Sequence, residues 1–429
     1  MPSSGSLDVF SINIGYPVYA AAFASDSTLI VAGGGGEGKN GVANKISVLE
    51  VESSEGQIKI ETETVLSKEE DAPMSLDVAR ADSSDTSTLL IAVGVNESSA
   101  QVCEGKNEHL RLFQVETDAR VELFDRRQVF KREETENNDG DDEDPAKKNK
   151  TLVDDEFQKL TRFSSSPAKF LALLSSSGKL VNLAFPGLDR QFEPVVTNDI
   201  QDVAFSTDET LLAFTTPKSV TLLLASTGEK IAEYSLPSQL SSASFRGVRF
   251  AGEDSRSLVL IANHARRTGA SVVKLVVPAD IDFTKQQALP PSRPVVGKLH
   301  SGIKAVTALD ARAGLACVAG ADLSVSVVAV DSLKVLKRVR AAHTFAITQV
   351  VINPSATAVA STSVAQSVVV IRLDGAAARK SSNRHVLVTT TVVSVVVILL
   401  IAVIVQMLVQ RQVLGSLGGT TATSLRIEE

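Results

Sequence analysis

The feature that most constrains the fold is a repeated pattern of short apolar segments separated by polar turns. An alternating segment such as Val18–Phe23 meets a polar turn and is followed by a second apolar segment, Leu29–Ala32. The same order returns at Asp202–Phe205 and Leu211–Phe214, and little of this region has helical periodicity. Counted in this way there are seven units, which start near Val18, Leu76, Leu160, Asp202, Val248, Val306 and Ile347.

A unit of three or four strands cannot cover both of its faces, whereas seven units stacked around an axis bury those faces against one another. The sequence therefore predicts an all-β fold, a seven-bladed WD-type β-propeller over residues 1–375. The Trp-Asp dipeptide itself is absent, because the chain contains no Trp. A β-sandwich followed by a second β-domain stays open as the alternative.

An acidic block interrupts the repeat between the second and third units. It contains eight carboxylates between Glu133 and Asp144 and is followed by Lys147, Lys148 and Lys150. Such a segment buries too little apolar surface to offset the entropy lost on ordering. We interpret residues 133–150 as a disordered surface insert.

A long uncharged stretch near the C-terminus predicts a membrane anchor. Residues 386–405 form a run of 20 residues without a charge, most of them Val, Ile or Leu. At about 1.5 Å per residue a helix of this length spans the hydrocarbon core of a bilayer. We therefore predict a linker at residues 376–385, a single C-terminal transmembrane α-helix at 386–409 and a short lumenal tail at 410–429.

The charges beside this stretch predict its orientation. Arg379, Lys380 and Arg384 precede it, whereas Arg411 is the only basic residue that follows it closely. Because Lys and Arg collect on the cytoplasmic side of spanning helices, we expect the N-terminal part to face the cytosol. The N-terminus has no signal-peptide pattern, and two cysteines in 429 residues fit a reducing compartment.

The sharpest local motif is a glycine-rich segment inside the first unit. Residues 33–39 fit the spacing of a phosphate-binding loop, but Asn40 stands where Ser or Thr is required, and a strand-like segment follows instead of a helix. We therefore reject a nucleotide-binding loop. Six glycines among the nine residues 33–41 free the backbone to turn its carbonyl groups toward a cation or to lie against another protein.

Other candidate chemistry is weak. The five histidines are isolated from one another and from the cysteines, so no metal-ligand spacing is present. The basic segment at residues 334–340 alternates with apolar residues as a solvated blade edge would, and no aromatic platform accompanies it, which disfavours nucleic-acid binding. We expect no enzyme active site and no covalent chemistry.

The glycine motif resembles that of one family. Gly33–Gly36, Lys39, Gly41, Val42 and Asn44, in the first blade of an anchored propeller, are similar to the loop of the Sec-twelve/PREB family. The members of this family are endoplasmic-reticulum guanine nucleotide-exchange factors for the Sar-type GTPase that starts COPII coat assembly.

The resemblance implies a site, a cofactor and a location. The GTPase-contacting loop would comprise Gly34, Gly35, Gly36, Lys39, Asn40, Gly41, Val42 and Asn44, with Val42 as an apolar contact and Asn44 fixing the loop by hydrogen bonds. Backbone carbonyls within Gly35, Gly36, Glu37, Gly38, Lys39, Asn40 and Gly41 would hold a potassium ion. The protein would lie in the endoplasmic reticulum membrane with its propeller in the cytosol and would promote GDP release. The alternative is a membrane-tethered propeller scaffold without exchange activity.

Overall fold

Twenty-eight strands carry the fold within the residues that the computed structural model describes, which are 9–38, 41–80, 88–115, 120–130, 157–197, 199–252, 255–278 and 294–373. They form seven antiparallel sheets of four strands each. The prediction of an all-β, seven-bladed propeller is therefore confirmed.

Six of the seven blades are built from four consecutive strands. Blade 1 contains β2 (Val18–Phe23), β3 (Thr28–Gly33), β4 (Lys45–Glu52) and β5 (Gln57–Val65). Blade 2 contains β6 (Ser75–Arg80), β7 (Leu89–Gly94), β8 (Leu110–Val115) and β9 (Val121–Arg127). Blade 3 contains β10 (Gln158–Phe163), β11 (Phe170–Ser175), β12 (Lys179–Ala184) and β13 (Val195–Val196). Blade 4 contains β14 (Asp202–Phe205), β15 (Leu211–Thr215), β16 (Ser219–Leu224) and β17 (Lys230–Ser235). Blade 5 contains β18 (Ala243–Phe250), β19 (Ser257–His264), β20 (Ala270–Val276) and β21 (Val295–Lys298). Blade 6 contains β22 (Val306–Arg312), β23 (Leu315–Gly320), β24 (Val325–Ala329) and β25 (Lys334–Val339). A short helix, α1 (Ser99–Cys103), lies between β7 and β8, and 3₁₀ turns occupy Ser238–Leu240 and Ala265–Arg267.

Blade 7 joins the two ends of the propeller. It contains β26 (Ile347–Ile352), β27 (Ala358–Ser363) and β28 (Ser367–Arg372), and its outer strand is β1 (Val9–Asn13) from the other end of the chain. Strand β1 pairs with β28 from Val9 opposite Ile371 to Asn13 opposite Ser367. This closure covers an edge that would otherwise be open to pairing with another chain.

The core lies between the blades. The inner strands β2, β6, β10, β14, β18, β22 and β26 are neighbours in this order, and β26 returns to β2. The described residues contain seven apolar clusters, and each cluster joins two adjacent blades. Between blades 1 and 2, for example, Ile30 and Ile46 pack with Ile91 and Val93. Each sheet is therefore apolar on both faces, which explains the nearly continuous Val, Leu and Ala runs of the sequence.

The predicted unit starts agree closely with the inner strands. Val18, Asp202, Val306 and Ile347 are the first residues of β2, β14, β22 and β26. The predictions at Leu76 and Leu160 fall one and two residues inside their strands, and the one at Val248 falls within β18. The basic segment forms β25, the outermost strand of blade 6, so its interpretation as a blade edge is confirmed.

One end of the propeller carries the glycine segment. Because each blade is antiparallel, the connection between its second and third strands emerges at the same end as the connections that lead from blade to blade. We call this end the loop face. It includes residues 14–17, 34–44, 66–74 and 95–109.

Several predicted segments cannot be compared with the structure. The described residues belong to the first of two compact units, Met1–Ala378, and the second, Arg379–Glu429, is not described. The insert at 133–150, the linker at 376–385, the anchor at 386–409 and the tail at 410–429 all lie outside the described residues. Within the described ranges, no helix is long and apolar enough to cross a membrane.

Candidate functional site

The glycine loop, residues 34–44, connects β3 to β4 and begins against the neighbouring chain segment. The amide of Gly34 donates a hydrogen bond to the carbonyl oxygen of Pro17 at 2.9 Å. A Cβ atom on Gly33 would lie 1.9 Å from the same oxygen, so only glycine permits this close approach. The strand-like segment that follows the loop is β4, as predicted, so the loop does not lead into a helix.

Asn44 fastens the other end of the loop. Its side chain is buried, and its Oδ1 accepts a hydrogen bond from the amide of Gly36 at 2.9 Å. Its Nδ2 donates to the carbonyl oxygens of Glu70 and Asp71, at 2.9 and 3.3 Å. One amide side chain therefore ties the loop of blade 1 to the connection that leads into blade 2.

The turn at Gly36 brings the loop close to a carboxylate. Gly36 has φ +76°, and a Cβ atom there would lie 2.8 Å from Oδ1 of Asp71. Gly38 and Gly41 also have positive φ, and no atom lies within 4 Å of their Cβ positions. Burial, together with the negative charge of Asp71, raises the pKa of the nearby Tyr19. The base of the loop thus lies in a locally negative environment.

Burial divides the loop into a base and a tip. Gly34 and Asn44 are buried, Gly35 and Gly36 are partly buried, and Glu37, Gly38 and Gly41 are exposed. Lys39 and Asn40, which the sequence assigns to the site, lie outside the described residues. Val42 is partly buried and packs against the core cluster between blades 7 and 1, so only part of its side chain is open to a partner.

The tip is also joined to blade 2. The backbone amide of Ser99 donates a hydrogen bond to Oε2 of Glu37 at 2.8 Å, and the Ser99 hydroxyl contacts the same oxygen. Ser99 is the first residue of α1, whose N-cap is Ser98. The loop and α1 therefore form one continuous surface across two blades.

A buried ion-pair cluster supports this surface from below. Arg111 is 2% exposed, and its guanidinium contacts Oε1 of Glu70 and Oε1 of Glu97, each at 2.7 Å. Its Nε donates to the carbonyl oxygen of Glu108 at 2.7 Å. Because Glu70 also accepts the bond from Asn44, Arg111 holds the segment to which the loop is fastened. The sequence offers no local signal for this cluster, whose members are up to 41 residues apart.

The remaining polar candidates have structural roles. His109 stacks on Phe130 and accepts hydrogen bonds from the amides of Val129 and Phe130. His343 lies between the hydroxyl groups of Ser361 and Ser367. Within the described part of the chain, no group of three or more His, Cys, Asp or Glu residues could hold a metal ion.

Comparisons with known proteins identify relatives. No protein-family model matches the chain. The chain is 27% identical over 373 residues to the guanine nucleotide-exchange factor SEC12 of Candida glabrata, a match that covers 84% of this chain and 71% of that protein. The chain is a homologue of SEC12.

Two further relatives agree with this assignment. The putative guanine nucleotide-exchange factor SED4 of Saccharomyces cerevisiae is 26% identical over 373 residues, and the match covers 85% of this chain and 31% of that protein. The SED4 protein of Candida glabrata is 25% identical over 370 residues, covering 84% of this chain and 32% of that protein. The chain therefore spans about a third of the length of each SED4 protein.

Proposed function

We propose that this SEC12 homologue is a guanine nucleotide-exchange factor that promotes GDP release from a Sar-type small GTPase. The observation that carries the proposal is the glycine loop, which is fixed at its base by Asn44 and exposed at its tip. Protein surfaces that bind partners are commonly loops positioned by a rigid scaffold. The relatives named as exchange factors supply the activity.

The mechanism requires no covalent chemistry. The loop binds the nucleotide-free GTPase more tightly than the GDP-bound form, and this difference in affinity favours loss of GDP. By the same linkage, GTP binding releases the exchange factor. Fixing the loop in advance reduces the entropy lost when the two proteins associate.

Each loop residue has a role in this proposal. Gly35, Gly38 and Gly41 let the backbone approach the GTPase, and Lys39 and Asn40 contact it with their side chains. The exposed part of Val42 supplies an apolar contact. Gly34, Gly36 and Asn44 lie at the base of the loop and position its tip.

A potassium ion fits the chemistry of the loop. Its backbone offers carbonyl oxygens, and the carboxylate of Asp71 lies beside Gly36. Oxygen donors are the ligands that hard cations prefer. The carbonyls of Gly35 to Gly41 would hold the ion, which would offset the mutual repulsion of these dipoles and so order the tip.

The location follows from the proposed anchor. A transmembrane helix at residues 386–409, with the propeller in the cytosol, would hold the loop close to the endoplasmic reticulum membrane. The GTPase would then be activated beside the membrane on which COPII vesicles form. Protease added to intact microsomes should digest the propeller, and protection of the whole chain would contradict this orientation.

Replacing the tip tests the role of the loop. A variant in which residues 37–41 are replaced by Ser-Gly keeps Asn44 and should fold but lose acceleration of GDP release. The matched control replaces residues 265–269, the equivalent connection of blade 5 on the same face, and should exchange normally. If both variants exchange equally well, the site is wrong. Equal binding of GDP-bound and nucleotide-free GTPase would instead identify a scaffold.

A further inference from the structure

A second candidate site lies on the loop face, at the mouth of the central channel. A cavity of about 150 Å³ is lined there by four cationic side chains and a single carboxylate. The cationic residues belong to two inner strands, β10 and β18, and are Lys159, Arg162, Arg246 and Arg249. The carboxylate is that of Asp202, on the inner strand β14 between them.

Two of these cations are placed by β-bulges. The pairing of β10 with β11 shifts between Gln158 and Leu160, so Lys159 is the extra residue. The pairing of β18 with β19 shifts between Phe245 and Gly247, so Arg246 is the extra residue there. A bulge re-aims a side chain, and bulges are frequent beside functional sites.

Protein partners satisfy only part of this charge. Arg249 pairs with Asp202 at 2.5 Å, and the ammonium group of Lys159 donates to the carbonyl oxygen of Ile200 at 2.9 Å. In contrast, the side chains of Arg162 and Arg246 make no hydrogen bond or ion pair with any described residue, and Nε of Arg162 is buried. A buried guanidinium Nε without a hydrogen-bond partner is unusual, since buried polar groups are normally hydrogen-bonded.

The pKa values of two cationic side chains at the channel mouth are lowered, as expected where positive charge exceeds negative charge. Burial lowers the pKa of Lys159, and the charge of Arg246 lowers it further, against smaller opposing effects of Asp199 and Asp202. Burial likewise lowers the pKa of Arg162, and repulsion from Arg249 lowers it further.

Two more carboxylates attract Arg162 from the opposite side. Asp77 and Asp310 line the larger cavity at the other end of the channel, of about 720 Å³, and not the cavity on the loop face. The excess of positive charge is therefore larger on the loop face, because the four arginines that line the other cavity face three carboxylates, Asp26, Asp77 and Asp310.

The size of the cavity limits its ligand. Cavities for drug-sized ligands measure about 300–1,000 Å³, whereas a cavity of about 150 Å³ accommodates a molecule no larger than benzene. Guanidinium groups bind phosphate oxygens through two parallel hydrogen bonds. We propose that the channel mouth on the loop face binds a single tetrahedral oxyanion, with inorganic phosphate as the representative ligand, through Arg246, Arg162 and Lys159.

Calorimetric titration of the full-length protein in mild detergent with sodium phosphate, at constant ionic strength, tests this proposal. Saturable binding at millimolar phosphate or below is expected, with sulfate competing and chloride not competing. Arg246→Gln should weaken phosphate binding by about tenfold or more, because it removes a charge-assisted bidentate contact. The matched control is Arg312→Gln, which removes an arginine that lines only the cavity at the opposite end and should leave binding unchanged.

A thermal measurement separates binding from folding. Phosphate should raise the unfolding temperature of the wild type and of Arg312→Gln but not that of Arg246→Gln or Arg162→Gln. Absence of saturable binding to the folded wild type would overturn the proposal. Equal affinity of Arg246→Gln and the wild type, or equally effective competition by chloride, would overturn it as well.

Discussion

Replacing Asn44 with alanine should release the glycine loop while the propeller stays folded. The change removes three hydrogen bonds, one from the Gly36 amide and two to the carbonyl oxygens of Glu70 and Asp71. Each bond contributes about 1 kcal/mol net, so the ordered conformation of the loop loses about 3 kcal/mol of stability relative to the disordered one. Because 1.4 kcal/mol corresponds to a factor of ten, the equilibrium constant for ordering the loop should fall by about 100-fold, and the catalytic efficiency of exchange by up to this factor.

Aspartate at this position separates hydrogen bonding from side-chain size. Asn44→Asp keeps the acceptor for the Gly36 amide but turns a carboxylate oxygen toward the carbonyl groups of Glu70 and Asp71. It loses both donated bonds and adds repulsion, so exchange should be reduced at least as strongly as in the alanine variant. The assay is GDP release from a Sar-type GTPase, measured by fluorescence at several concentrations of the exchange factor.

The control for this experiment is a buried asparagine in blade 3. Asn182 donates a hydrogen bond to the carbonyl oxygen of Ala225 at 2.7 Å, and it is fully buried and distant in sequence from the loop. Asn182→Ala should lower the free energy of unfolding and leave exchange per folded molecule unchanged. Folded Asn44→Ala protein that exchanges within twofold of the wild type would show that Asn44 does not order the loop for exchange.

Three further predictions concern the loop, the cluster below it and the stability of blade 7. Gly36→Ala should reduce exchange by about tenfold, because alanine disfavours positive φ and its Cβ would lie 2.8 Å from the Asp71 carboxylate; Gly15→Ala, with φ +80° and no atom within 4 Å, is the control. Arg111→Met leaves Glu70 and Glu97 with only the more distant Arg126 as an ion-pair partner, at 3.8 and 3.7 Å, and should cost about 3 kcal/mol in urea unfolding. Burial lowers the pKa of His343 to about 4, so the folded protein should lose stability as the pH falls from about 6.5 toward 4, and His343→Gln should lose less between pH 7.5 and 5.

Each of these three predictions has a contradicting result. Equal exchange by the Gly36 and Gly15 variants would show that the contact with Asp71 is unimportant. Unfolding of Arg111→Met at the wild-type urea concentration would mean that the cluster contributes no net stability. A parallel pH dependence for His343→Gln and the wild type would assign the loss of stability to other groups.

The sequence predicts the blades well because each blade repeats the same local pattern. Strands that are buried on both faces, such as Leu211–Thr215, appear as continuous apolar runs between polar turns. The closure of blade 7 by Val9–Asn13 is not visible in this way, because that strand alternates and its partner, β28, is the last described strand in the sequence. Pairing across such a separation is decided by tertiary structure and not by local propensity.

The candidate site likewise contains some residues that the sequence reveals and others that it does not. The glycines and Asn44 stand out in the sequence because their spacing is unusual over a short stretch. Glu70, Ser99 and Arg111 carry no local signal, since they meet the loop only when blades 1 and 2 pack together. The channel mouth is hidden for another reason: a bulge at Arg246 changes the register by one residue, and alternation alone does not reveal it.

The activity proposed for this protein is acceleration of GDP release from a Sar-type GTPase. The most direct test measures that release with and without the full-length protein, first in potassium and then in sodium buffer. We predict acceleration in potassium that is weaker in sodium, because the ion orders the loop. A folded protein that leaves the release rate unchanged in both buffers would contradict the exchange function, whereas equal acceleration in both would contradict only the role of the ion.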